Sequence, residues 1–237
     1  MVRPARGRLA SRLHVVAHMP TDDESDTQRS YARYRGAMPG IAIVCPAENL
    51  QAAETARWVR RHGVTVAAYT SSELALVISV GIRPARLVMH GDRGQWGPIR
   101  CAVEASVRQF VVDSCEQLPV LEHYARRCQQ VLIDVGTAHV HAAIAAVCAS
   151  DRLDLVGLHC RMDPQLTAPH RYSAAIHATI DEMARIRQDR GIITSRLSLT
   201  GPLGLAPEAI VAVIEEAIDD GCARWSFPRP AVALTPH

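Results

Sequence analysis

Lysine is missing from this 237-residue chain; its basic side chains, histidine apart, are 26 arginines. No side chain therefore carries a primary amine, which rules out any covalent step that needs an internal lysine imine. Against 24 acidic residues the formal charge is only +2, so no strong field of either sign marks the chain for nucleic acid or an anionic membrane. Seven cysteines occur without a CxxC pair, several inside apolar segments, as expected of buried free thiols in a reducing cytoplasm. Long apolar runs are also absent. The stretch "LHVVAHM" near the basic N-terminus is too short and too interrupted by histidine for an export signal or a membrane span.

What is present is an alternation. After a polar segment 1–25 ending in "TDDES", which reads as a mobile arm, short β-type runs recur: "IAIVC" (41–45), "VTVAAY" (64–69), "RLVMH" (86–90), "QFVVD" (109–113), "VLIDV" (131–135), "LDLVGLH" (153–159), "RLSL" (196–199) and "AVALT" (231–235). Between them lie helix-like stretches. "NLQAAETARWVRRHG" has Asn49 as an expected N-cap and Gly63 past its end, and "APEAIVAVIEEAIDDG" has Pro207 in the first turn and Gly221 as an expected stop. Eight nearly continuous apolar strands need both sheet faces covered. At 48% hydrophobic and close to the roughly 250 residues usual for the fold, the chain suits an α/β (β/α)8 barrel of the TIM type over 26–237. An open doubly wound sheet is the alternative.

In such a barrel, chemistry sits at the C-terminal ends of the strands. Those ends carry Pro46, Thr70, His90 with Asp92, Asp113, Asp134, His159 with Arg161, Thr200 with Gly201, and Thr235. Two imidazoles and two carboxylates, at His90, Asp113, Asp134 and His159, are candidate barrel-mouth residues and have the chemistry of metal ligands. Packing and loop hydrogen bonds are the simpler use of them, and no metal is expected. Arg161 and Asp134 stand on neighbouring strands, where they could pair or be separately solvated. "HVH" at 139–141 is a weak metal signal, and His139 is expected to cap a helix or face solvent. Cys160 follows His159, whose side chain should point to the opposite face, so no cysteine nucleophile is expected.

Read in order, "RSYARYRGAMPG", "SSEL", "RLVMHGD", "FVVDS" and above all "LDLVGLHC" resemble the barrel of the pyridoxal-phosphate-dependent diaminopimelate and ornithine decarboxylases, which share their barrel with alanine racemase. The resemblance covers roughly residues 26–237 and implies a pyridoxal-phosphate-binding type of barrel. Its departures fall on the cofactor's handles. The family motif Tyr-Ala-Val-Lys-Ala-Asn lies over "IVCPAEN", so Pro46 stands where the Schiff-base lysine belongs. Ala67 replaces a second-strand aspartate, Arg161 replaces the histidine that stacks on the pyridine ring, and the phosphate-holding Gly-Gly-Gly appears as Thr200-Gly201-Pro202.

The family's Glu-Pro-Gly-Arg, whose glutamate protonates the ring nitrogen, lines up with Thr235-Pro236-His237. The chain ends there, so the family's C-terminal β-domain is expected to be absent and the helix faces it covers to favour association. The resemblance therefore implies a barrel that has lost covalent pyridoxal phosphate, with no catalytic residue at Pro46. Non-covalent pyridoxal phosphate or phosphate remains open, with Arg161, Gly201 and Gly204 as candidate anion-binding residues. The function expected is that of a pseudoenzyme binding a small anion, a second copy, or a related decarboxylase or regulatory protein, as antizyme inhibitor does in this family. An enzyme with changed chemistry at the mouth, metal-assisted or not, and a residual amino-acid decarboxylase are the alternatives.

Overall fold

The computed structural model describes residues 26–37, 39–91, 96–162, 169–201 and 207–236. The expected arm over 1–25 lies outside them, as do Asp92 and Gly204. Eight strands, β1 (Ile41–Pro46), β2 (Thr65–Ala68), β3 (Leu87–His90), β4 (Gln109–Val112), β5 (Gln129–Asp134), β6 (Leu153–Arg161), β7 (Arg196–Gly201) and β8 (Ala231–Pro236), match the eight apolar runs of the sequence. They pair in parallel in chain order, and β8 returns to β1 with Leu234 opposite Ile43. That closing pair excludes the open sheet.

Helices α1 (Asp26–Ala37), α2 (Ala53–His62), α3 (Ser71–Ser79), α4 (Gly97–Glu104), α5 (Gln117–Tyr124), α6 (Val140–Ala149), α7 (Pro169–Arg190) and α8 (Pro207–Trp225) cover the outside. Alternation along each strand divides the side chains between two environments. In β1, Ile41, Ile43 and Cys45 join the large core shared with the helices, which leaves Ala42, Val44 and Pro46 for the barrel axis. Inside the barrel, Val88, Val111 and Leu132 form a separate small cluster with Val156 against it.

Two helix boundaries differ from the sequence expectation. Asn49 does not cap α2: it lies within a 3-10 turn over Ala47–Gln51, and Ala52 precedes the helix. Its amide instead donates to the Tyr31 hydroxyl of α1 at 3.3 Å, a tertiary contact that no local pattern contains. Gly63 does follow α2, in the left-handed conformation. Gly221 is not a stop, since α8 runs on to Trp225. It marks the close approach of α8 to α7, where a Cβ would lie 2.8 Å from Ile180 Cδ1. The actual end is a Schellman turn built on Ser226 (φ 44°), with Phe227 N–H donating to Cys222 O at 2.9 Å and Ser226 N–H to Ala223 O at 3.2 Å. Arg187 of α7 donates to the free carbonyls of Trp225 and Ser226, each at 2.8 Å.

Candidate functional site

The mouth is built from the C-terminal strand ends. On β1, Pro46 is buried and in register with Ala67 of β2; its φ of −58° and ψ of 138° lead into the 3-10 turn. Neither residue has a charged or nucleophilic group. On β3, His90 is buried between two rings. Tyr69 lies against one side, centroids 4.5 Å apart, and His159 of β6 meets it edge-on at 5.1 Å and 81°.

His159 is fully buried, and its Nδ1 lies 3.0 Å from the Ser198 hydroxyl of β7. Its Nε2 is buried without a hydrogen-bond partner. Burial first, and the Arg161 charge second, push its pKa down to about 3, because the imidazolium would have to exist without water. His159 is thus a neutral ring. The same burial lifts the Tyr69 phenol to about 12, with Thr200 and Arg161 pulling the other way.

The carboxylates have other work. Asp113, after β4, forms a reciprocal pair with Gln117: the Gln117 amide donates to Asp113 Oδ1 at 2.8 Å, and Asp113 N–H donates to Gln117 Oε1 at 3.1 Å. This fastens the loop into α5. Asp134, at the end of β5, accepts from Gly136 N–H on Oδ1 at 2.8 Å and faces Arg161 Nη2 with Oδ2 at 3.5 Å. The carboxylate is buried while the guanidinium is 55% exposed, so this pair leaves part of the arginine turned to solvent.

On β7, Gly201 is required by a close approach, since a Cβ would lie 2.6 Å from Met162 O. Thr235 of β8 is buried beside Thr200, its register partner. The structure therefore brings His90 and His159 together, and separately Asp134 and Arg161, while Asp113 is occupied by its own loop. Among the described residues no three His, Cys, Asp or Glu side chains converge as a metal site. His139 immediately precedes α6 without a side-chain capping bond, and His141 Nδ1 lies 3.2 Å from Glu182 of α7.

Cys160 Sγ points toward Ala175 O of α7, 4.0 Å away, opposite to His159, and burial raises its pKa; it is not an activated thiolate. Tyr69 and Ser198 were missed as mouth residues. The parity of Ser198 with Thr200 on β7 was an available signal, whereas the position of Tyr69 over His90 depends on the turn after β2.

Pyridoxal phosphate can be tested against these groups. By the resemblance read from the sequence, an imine would need an amine at Pro46, and a positively charged ring nitrogen an acid at Thr235. The stacking position would fall on Arg161, which the structure pairs with Asp134. The covalent and electronic handles do not fit the group.

Comparison with known proteins agrees with the architecture. Residues 24–143 match the family described as pyridoxal-dependent decarboxylase, pyridoxal binding domain. The diaminopimelate decarboxylase of Corynebacterium efficiens is 27% identical over 76% of this chain and 48% of its own length. That of Mycobacterium tuberculosis strain H37Rv is 25% identical over 90% of this chain and 57% of its own. The chain thus spans about half the length of these curated relatives.

The crystal structure of diaminopimelate decarboxylase from M. jannaschii superimposes with a TM-score of 0.76 at 18% identity, covering 88% of this chain and 58% of that one. Lysine/ornithine decarboxylase from Vibrio vulnificus, complexed with putrescine, gives 0.73 at 20%, covering 88% and 60%. Both share the fold. Among the described residues no helix is long and apolar enough to cross a membrane. With its closed eight-stranded barrel and its match over half the chain, the protein belongs to the pyridoxal-dependent decarboxylase family through the pyridoxal-binding barrel domain.

Proposed function

We propose that this chain is a decarboxylase-type barrel that acts by binding rather than by pyridoxal chemistry. The observation that carries the reading is Pro46, buried at the end of β1 in a chain with no lysine. Without an amine there is no internal imine, and without an acid at Thr235 the ring would be a poor electron sink even if bound. A small anion is the ligand best matched to the mouth. It would be held by the exposed side of Arg161 and the backbone at Gly201, with Gly204 a further candidate outside the described residues. A protein partner, either a second copy or a related decarboxylase, is the other binding role, in the reducing cytoplasm suggested by seven free cysteines.

The names of the curated relatives favour a second reading, amino-acid decarboxylation. One experiment separates the two. The purified protein is incubated with pyridoxal phosphate, reduced with borohydride and mapped by peptide mass. The expected result is modification at the N-terminal amine alone, abolished by acetylation, and no turnover of diaminopimelate or ornithine. An internal pyridoxyl-modified residue, or turnover of either substrate, overturns the binding reading.

A further inference from the structure

The lower half of the barrel has a feature that the mouth does not explain. Interiors of this fold are normally filled by layers of bulky branched side chains, which make the axis a packed core. Here the inward positions of β1 and β8 carry Ala42, Ala231 and Ala233, and beside them runs a cavity of about 290 Å³. Its walls are largely apolar, with Val44, Val88 and Leu132 joining the alanines. Ala42 and Ala231, on the first turns of their strands, are exposed, and Ala233, one layer further in, is still partly exposed. The cavity therefore opens on the N-terminal face, opposite the mouth, while its inner end is lined by His90, Ser198 and Thr235.

Among the described residues that line the cavity, the one guanidinium belongs to Arg196. Arg196, the first residue of β7, donates through Nη1 to Gln109 Oε1 of β4 at 3.0 Å and to Gln130 Oε1 of β5 at 3.2 Å. Both acceptors lie beyond the intervening β6, so the side chain must cross the floor of the barrel to reach them. The amides hold the guanidinium in place without neutralising it. Among the described residues no carboxylate pairs with Arg196, and its Nη2 and Nε hydrogens donate to none of them. A cation fixed at the rim of an apolar cavity is complementary to a molecule with an anionic head and an apolar body. The volume lies at the low end of the range for small-molecule sites, roughly 300–1,000 Å³.

We propose that the N-terminal face of this barrel is a binding site for a small unbranched aliphatic carboxylate, with its headgroup on Arg196 and its chain along the axis between Ala42, Ala233 and Leu132. From Ala231 to Thr235 the barrel wall rises about 11 Å along the axis, allowing for strand tilt, which suits a chain of about six to eight carbons. The site opens on the face opposite the mouth, meets the mouth residues only at its inner end, and does not depend on the function proposed for the mouth.

The test is calorimetric titration of the full chain with butanoate, hexanoate, octanoate and hexanol. Each two added methylenes should tighten binding about fifteen-fold up to octanoate, because each buried methylene contributes about 0.8 kcal/mol. Hexanol should bind at least about tenfold more weakly than hexanoate, having no charge to place on the guanidinium. Ala233→Leu, which fills the axis, and Ala42→Leu, which blocks the exposed entrance and tolerates the larger side chain, should each abolish hexanoate binding in a protein that still unfolds cooperatively. Arg196→Gln should weaken hexanoate to the level of hexanol. No heat from any carboxylate at two well-separated temperatures, where the enthalpy of burying apolar surface cannot vanish at both, means that the cavity holds solvent alone and overturns the proposal. So does hexanoate binding that survives either leucine variant, or that is unchanged in Arg196→Gln.

Discussion

His159 makes stability depend on pH in a direction that can be calculated. Its imidazole is neutral and fully buried, with a pKa lowered from 6.5 to about 3. A histidine whose folded value is depressed contributes stability that is complete above its unfolded value near 6.5 and falls away as pH drops toward 3, because the unfolded chain takes up the proton first. Between pH 7.5 and pH 5 the unfolded ring goes from mostly neutral to mostly charged while the folded ring stays neutral, which costs about 2 kcal/mol.

Replacing the ring with an uncharged amide, His159→Gln, keeps a polar group near Ser198 and removes this titration. The assay is urea unfolding of both proteins at constant ionic strength from pH 5 to pH 8, and the quantity read is the difference between their stabilities. Histidines common to the two largely cancel in that difference. The wild type should lose about 2 kcal/mol more than the variant on going from pH 7.5 to pH 5. Parallel pH profiles would refute the reasoning, because they would mean that His159 is hydrated or already protonated in the folded barrel.

Asp134 separates two of its bonds. Asp134→Asn keeps an acceptor for Gly136 N–H and loses only the pair with the largely exposed Arg161, so urea unfolding should show a loss below about 1 kcal/mol. Asp134→Ala also frees the turn amide and should cost about 1–2 kcal/mol more. Arg187→Ala removes the donors that cap the end of α8 and should lower stability by about 1–2 kcal/mol, seen as a drop in Tm. Excess phosphate should raise the Tm of the wild type but not of Arg161→Ala; equal shifts in both would remove Arg161 from the anion site.

Much of the architecture was legible because it is local. Each strand announced itself as a short apolar run, and Gly63 and Pro207 took the helix-boundary places expected of them. Gly221 misled for a physical reason: glycine serves both to end helices and to let two helices touch, and only the neighbour at Ile180 distinguishes the two uses. Asn49 misled similarly, because its amide bonds Tyr31, eighteen residues away, in preference to the adjacent helix. At the mouth, the candidate residues were readable from strand ends, but their partners were not. Of the two uses open to Asp134 and Arg161, the fold adopts the pair, while Asp113 is tied to Gln117 and the imidazoles meet Tyr69 and Ser198.

The sequence by itself determined the barrel and the limit on its chemistry. Alternating apolar strands and helices have few ways to bury both sheet faces, and a chain without lysine has no side-chain amine wherever its residues are placed. The tertiary structure decided what the remaining polar groups do. Burial makes His159 a neutral ring, register sets Arg161 against Asp134, and closure of the barrel sends Arg196 across its floor to Gln109, 87 positions away. Such contacts join residues that share no local pattern, and their energies depend on how much water the surrounding barrel excludes.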